Sequence, residues 1–266
     1  MRVQAPDGSE RETTLRIGVV GIAPPPILEW DKRNLDGKVT VMGVVEAAKK
    51  YVPQVRAAGA DIVIAIVHGG INTAAYTQGM ENADWYLAQV PGIDAMLTGH
   101  SHQISPDPHN PKSSYARMRD VDNQRGFVNG VPAVMGDYFG KAVGVIDLNL
   151  VYAGGHWQVD KGATNSDVRL VAPRGEKPVA ADEDIARIVA AEHAATIAYV
   201  KTPIGHSDFP MTTYFVAAGD TAALTLVNNA QREYVEKYIR ANLPQYREVP
   251  VLSDAGPFEA GWGGPY

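Results

Sequence analysis

Residues 61–68, DIVIAIVH, constrain the fold of this chain more than any other stretch. Six consecutive apolar residues separate Asp61 from His68 with no polar alternation. That is the pattern of a strand covered on both faces, as strands of parallel sheets are. Two more short apolar runs flank it: LRIGVVGIA at 15–23, ending at a turn, and IDAMLTGH at 93–100. Helical periodicity fills the first gap, in VVEAAKKYVPQVRAAGA up to Gly59, where Pro53 predicts a kink or a restart. ENADWYLAQV at 81–90 predicts a short helix in the second gap. This β-α-β-α-β rhythm predicts an α/β fold with a partly parallel, helix-covered sheet.

Further along the chain the pattern changes. The run PPP at 24–26 forces an extended or turning path, and residues 104–130 form a long polar connection rich in turn formers. VPAVM, AVGVIDLNLVY and HWQVDKGATNSDVRLV predict strands in hairpin-like succession around Gly136 to Gly140 and Gly154-Gly155. PRGEKPVA reads as a linker and ADEDIARIVAAEHAATIAYV as the clearest helix, its N-terminus complemented by Asp182, Glu183 and Asp184. After KTPIG a second unit begins, with a helix near TAALTLVNNAQREYVEKYIRAN and a strand at VPVLS.

Composition removes several function classes. A formal net charge of -6 and the lack of any basic block argue against a nucleic-acid polymer or an anionic membrane surface as partner. No apolar run approaches the roughly 18 residues that a membrane span requires. With no cysteine, thiolate nucleophiles, disulfides and Cys-ligated metals are excluded. The start, MRVQAPDGSERETTLRIGVVG, has no apolar leader of the secretory kind, and its first apolar segment arrives only at Leu15. A natural start and an origin inside a longer sequence are both compatible with that.

The chemistry-bearing residues are three histidines. His68 closes the run 61–68 and precedes Gly69-Gly70, glycines that would let a ligand or metal approach the backbone closely. His100 and His102 follow the next run after Gly99. Parallel strands carry their C-terminal ends on one edge, so the three imidazoles are expected to converge in one crevice. In an extended segment, residues i and i+2 face the same side, which suits one shared metal or a close pair. His109, His156, His193 and His206 are expected to be exposed or structural. Asp182 to Asp184 read as helix capping, Asp31 and Asp36 as solvated turn residues, and Asp94 as a cap on the preceding helix. An HxH pair at a strand end also occurs in amidohydrolase barrels, but downstream of His102 there is no regular β/α repeat to complete one.

Five consecutive segments carry a resemblance: LRIGVVGIAPPPILEWDKRNLDGKV, AGADIVIAIVHGG, PGIDAMLTGHSHQ, GVPAVMGDYFGKAVGVIDLNL and AAGDTAALTLVNNAQREYVEKYI. Over nearly its whole length the chain resembles the bacterial 5'-nucleotidase family of calcineurin-like metallophosphoesterases, in the branch that hydrolyses 2',3'-cyclic nucleotides and 3'-nucleotides. GHSH is shared with other metallophosphoesterases, whereas PPPILEWDKRNLDGKV followed by GHSH is much more specific to this branch. The resemblance implies the C-terminal half of a calcineurin-like αββα sandwich over 1–172, a linker and helix over 173–202, and the start of an α/β substrate-binding domain over 203–266. It further implies two divalent metal ions (Zn, Mn, Co or Mg) in the intact protein, a nucleotide substrate and a periplasmic location. His68 and His100 resemble ligands of one metal, and His102 a ligand of the other.

The stretch before Leu15 carries neither the Asp-x-His nor the Asn-His motif that the family places upstream of this strand. The expectation is therefore an internal piece without catalytic residues of its own, inactive alone and prone to self-association through uncovered sheet. A non-catalytic remnant with weak metal affinity is the competing expectation. Near the end, GPFEAGWGGPY lacks the arginine the family often has close to the position of Trp262, and no substrate-binding residue is assigned.

Overall fold

The structure is a computed structural model and describes residues 2–4, 9–173, 175–213, 215–216 and 219–255. Trp262 and the rest of GPFEAGWGGPY lie outside the described residues. Two compact units, Met1–Ala180 and Ala181–Tyr266, make up the chain. The division falls inside the 173–202 stretch read as linker and helix.

Two short strands at the start of the first unit, β1 (Arg2–Gln4) and β2 (Glu10–Glu12), pair antiparallel with each other. The apolar runs then form β3 (Ile17–Ile22), β4 (Ile62–Val67) and β5 (Ala95–Thr98), which lie side by side and parallel. Between β3 and β4 come two single-turn helices, α1 (Ile27–Trp30) and α2 (Lys32–Leu35), and then α3 (Val44–Ala57). Pro26 stands at the N-cap of α1, so the proline run ends where a ring without an N–H costs a helix nothing. Pro53 lies inside α3, which runs through it as one helix with no restart, contrary to one of the two sequence expectations. The expected helix over 81–90 is reduced to α4 (Asp84–Leu87).

Beyond β5 the polar connection is less irregular than its composition suggests. It contains β6 (Ile104–Ser105), β7 (Val121–Asp122) and β8 (Phe127–Val128), and leads into β9 (Val131–Gly136). The sheet order is β3-β4-β5-β9-β8-β7, with β9 parallel to β5 and antiparallel to β8 and β6. Next come β10 (Ala142–Asp147), β11 (Leu150–Ala153), β12 (His156–Val159) and β13 (Asn165–Leu170). The β11–β12 hairpin turns at Gly154-Gly155 as expected, whereas β10 pairs with β13 across it and both pack against β9.

The two faces of the sheet differ. Val44, Val45, Ala48 and Val52 form the buried stripe of α3, and with Val20, Val63, Ala65 and Met96 they belong to one core cluster. Gly18 allows the close approach of α3: a Cβ there would lie 2.1 Å from Val55 Cγ1. On the opposite face Val134 is covered by β10 at Gly144, but its in-register neighbours Leu97 and Ile66 are exposed. So are Ile17 and Val19 on β3, each 54% accessible. Strands β3 to β5 therefore have one covered face and one that is open at Ile17, Val19, Ile66 and Leu97 but buried at Ile62 and Ala95.

Arg56 and Asp94 tie α3 to the strand ends. The Arg56 guanidinium donates to Gly92 O, to Asp61 O and to the Asp94 carboxylate, which also accepts from Val63 N–H at 2.6 Å. Asp94 thus joins helix to strand and does not cap the preceding helix.

The second unit contains α5 (Glu183–Ile188), α6 (Ala190–Val200) and α7 (Ala222–Asn242), followed by a 3-10 turn at Pro244–Tyr246. The single helix expected over 181–200 divides at Val189. Asp182 Oδ1 accepts from Ile185 N–H at 2.9 Å, and Thr221 caps α7 through Leu224 N–H at 3.3 Å. No strand forms at VPVLS, where Ser253 instead hydrogen-bonds to Asn228 and Gln231 of α7. Among the described residues no helix is long and apolar enough to cross a membrane.

Candidate metal centre at the strand ends

Strands β4 and β5 are parallel neighbours, so the residues after Val67 and Thr98 emerge on the same edge of the sheet. His68 N–H donates to Ile22 O at 3.0 Å, which ties it to the end of β3, and Gly99 N–H to Gly69 O at 2.9 Å, which joins the two emerging segments. The His100 Nδ1 and His68 Nε2 atoms face each other at 3.2 Å, with the rings edge-on at a centroid distance of 4.9 Å. Two of the three expected imidazoles therefore meet.

His102 does not join them in the way the sequence implied. Both His100 (φ 62) and His102 (φ 52) are in the left-handed region, and Ser101 N–H turns back to Gly99 O at 2.7 Å. The GHSH stretch is a tight turn and not an extended segment, so the i, i+2 argument for a common side fails. His102 stacks instead on Tyr138, with centroids 4.9 Å apart and 21° between planes, beside Phe139. It borders an open polar cleft lined also by Asp107, Asn110, Lys112 and Asp137. Non-glycine residues hold positive φ only where their surroundings over-determine it, and such positions cluster at functional sites.

Two residues the sequence reading did not single out hold His100. The Glu81 carboxylate hydrogen-bonds to its Nε2. Trp30, at the end of α1, stacks on the ring at 4.8 Å and 23°. Trp30 lies within PPPILEW, one of the resembling segments, so its presence was visible although its contact was not. Glu81 was read as the first residue of a helix; it lies three residues before α4, and no spacing rule relates it to His100.

Electrostatics favour metal-competent imidazole at His68. Burial lowers its pKa from the ordinary value, and the neighbouring charges of His100 and His102 lower it further, so the neutral ring that can ligate is favoured.

Gly69 and Gly70 serve a different purpose from the one expected. A Cβ on Gly69 would lie 2.4 Å from Asp84 Oδ1, and one on Gly70 would lie 2.6 Å from Asn82 Oδ1. The space beside them is filled by the chain's own side chains, and Gly70 N–H donates to Asn82 Oδ1 at 2.9 Å. Asp84 is fully buried there, and neither carboxyl oxygen has a hydrogen-bond partner. Desolvation pushes its pKa well above the usual carboxylate value.

The donor set is partial. Among the described residues no group of three or more His, Asp or Glu side chains is arranged to hold a metal ion. The facing nitrogens of His68 and His100 fit two positions of an imidazole-bound divalent ion, and the other positions would have to come from elsewhere. The Asp-x-His spacing occurs at Asp107-Pro108-His109, in a loop where Asp107 Oδ2 accepts from Asn110 Nδ2 and His109 is exposed. His156, His193 and His206 are also exposed, as expected.

No family model matches the chain. It is 40% identical over 248 residues to the 2',3'-cyclic-nucleotide 2'-phosphodiesterase/3'-nucleotidase of Salmonella typhimurium, covering 93% of this chain and 37% of that protein. The protein of the same name from Yersinia enterocolitica is 39% identical, with 96% and 38% covered. The trifunctional nucleotide phosphoesterase YfkN of Bacillus subtilis is 35% identical, with 96% and 17% covered. The chain thus spans well under half the length of the curated relatives it matches. Among solved structures, calcineurin-like phosphoesterase YfkN from Bacillus subtilis superposes with a TM-score of 0.65 at 34% identity, covering 76% of this chain and 57% of that one. The mixed α/β architecture with its parallel-rich sheet matches the calcineurin-like phosphoesterase fold.

Proposed function

We propose that this chain forms part of a divalent-metal-dependent phosphoester hydrolase acting on 2',3'-cyclic nucleotides and 3'-nucleotides. One observation carries the reading: His68 Nε2 and His100 Nδ1 face each other at 3.2 Å on the C-terminal edge of adjacent parallel strands. The similarity to nucleotide phosphoesterases over more than nine-tenths of the chain supports the substrate class. His68 and His100 would hold one divalent ion (Zn, Mn, Co or Mg), and His102 would serve a second. When bound, such a pair supplies an activated water and neutralises charge on the phosphoryl and leaving oxygens.

What the chain's own residues contribute is position. Glu81 and Trp30 fix the plane of His100, the hydrogen bond from His68 N–H to Ile22 O anchors His68, and Tyr138 stacks on His102. The 1–172, 173–202 and 203–266 divisions and a periplasmic location belong to the same proposal.

The test is complementation. This chain, alone and mixed with a segment supplying the Asp-x-His and Asn-His motifs that the family resemblance places before Leu15, is assayed on a 2',3'-cyclic nucleotide and on bis-p-nitrophenyl phosphate with added Mn or Zn. Background rates alone and hydrolysis in the mixture are expected. His68→Ala and His100→Ala should then lower the rate by roughly 10–100-fold or more, since even partners of metal ligands cost that much. His193→Ala should change little. Equal losses from all three variants would point to folding damage and defeat the assignment.

A further inference from the structure

The imidazole of His100 is held on three sides. Its face lies on Trp30, its Nδ1 points at His68 Nε2, and its Nε2 meets the Glu81 carboxylate. The Glu81 side chain is 41% accessible and that of His100 is 20% accessible, so the pair is shielded on the histidine side and open on the carboxylate side. An ionised carboxylate can only accept hydrogen bonds. The nitrogen facing it must therefore carry the ring proton, and in a neutral imidazole this leaves the other nitrogen with a lone pair.

We propose that Glu81 is a positioning residue that locks His100 in its Nε2–H tautomer and so makes Nδ1, the atom 3.2 Å from His68 Nε2, the ligating nitrogen. The inference rests on the metal-centre reading above and adds to it the residue that decides which atom binds. Metal-bound histidines are generally oriented by a carboxylate or carbonyl on the second nitrogen, and losing that partner typically weakens metal affinity by about 10–100-fold. The left-handed backbone at His100 (φ 62) adds to the need for such a lock: it turns the segment sharply at this residue, and the ring is held by its contacts. No other carboxylate is seen to hydrogen-bond to His68 or His102 among the described residues, so the effect should be confined to His100.

The experiment uses the 266-residue chain with nitrogen-15-labelled histidine, compared with Glu81→Gln and Glu81→Leu. Long-range proton–nitrogen NMR reads the tautomer of each ring without metal, and calorimetry with zinc alone reads affinity. The parent is expected to show His100 as Nε2–H. Glu81→Gln retains an acceptor oxygen and should preserve that tautomer, with an affinity loss of a few-fold. Glu81→Leu should give mixed tautomers at His100, unchanged spectra at His156 and His193, and roughly 10–100-fold weaker zinc binding. An unaltered His100 tautomer with unaltered affinity in Glu81→Leu overturns the proposal and leaves the metal centre standing. No zinc binding by the parent overturns the ligating role given to Nδ1, and the tautomer spectra still decide whether Glu81 sets the ring.

Discussion

Asp84 is the most demanding single residue in the structure. Its carboxyl group is enclosed beneath the Gly69-Gly70 turn with no donor in reach, and desolvation raises its pKa. A carboxyl whose folded-state pKa lies above its unfolded value binds its proton more tightly when folded. Its contribution to stability is therefore fully present below the unfolded value and is lost as pH rises towards the folded one. Asp84→Asn keeps the shape and removes the ionisable group. In urea unfolding between pH 4 and pH 8, the stability of the variant relative to the parent should increase with pH, reaching about 1 kcal/mol or more at the upper end. A constant difference across that range would mean that Asp84 finds a partner on ionising. The same crowding makes Gly69→Ala costly: its new methyl would stand 2.4 Å from Asp84 Oδ1, and a loss of roughly 1–3 kcal/mol is expected in the same assay. None of this was legible in the sequence. His68, His100 and the glycines were visible there as residue types at strand ends, but what fills the space beside Gly69 depends on a side chain fifteen positions away. The turn at GHSH was hidden for a related reason: a left-handed histidine has no composition signal, and strand periodicity does not say where a strand stops.

At the scale of elements, the parallel core was readable because three apolar runs and one amphipathic helix can bury themselves together in few ways. The failures fall where tertiary packing outweighs local preference. Helix α3 continues through Pro53 because Val44, Val45, Ala48 and Val52 hold its buried face to the core, while Pro53 itself is exposed. A proline inside a helix costs about 3 kcal/mol relative to alanine, and a stiffer unfolded chain recovers part of that. Pro53→Ala should accordingly stabilise the first unit by about 1–2 kcal/mol in chemical denaturation. A destabilised variant would show that the ring packs against something its exposure conceals. The VPVLS segment fails in the opposite direction. Its β-branched residues suggest a strand, but no described strand lies beside it, and an extended segment without a ladder partner gains nothing from its propensity.

For the whole molecule, the deciding feature is that part of the second face of the sheet is uncovered, although Ile62 and Ala95 on that face are buried. Helix α3 packs on one side of β3 and β4, and β10 with β13 reaches the other side at β9 and β6. Ile17, Val19, Ile66 and Leu97 are 38–54% accessible on that side, Ile66 and Leu97 as direct register partners, and among the described residues β3 pairs with β4 alone. Burying such a side chain contributes about 1.5–3 kcal/mol. Exposed apolar side chains beside a strand edge without a described partner therefore favour association over solvent exposure. The isolated chain should elute as dimers or larger species in size exclusion at high concentration, and should enhance the fluorescence of a dye that reports exposed apolar surface. Val19→Lys combined with Ile66→Thr should shift the chain towards monomer and reduce dye binding. Because neither side chain is buried, stability should move by no more than about 0.5 kcal/mol per site. A sharp monomer peak from the unaltered chain with no dye response would show that this face is not sticky. Loss of folding in the double variant would show that the two side chains are packed in solution, contrary to their exposure here.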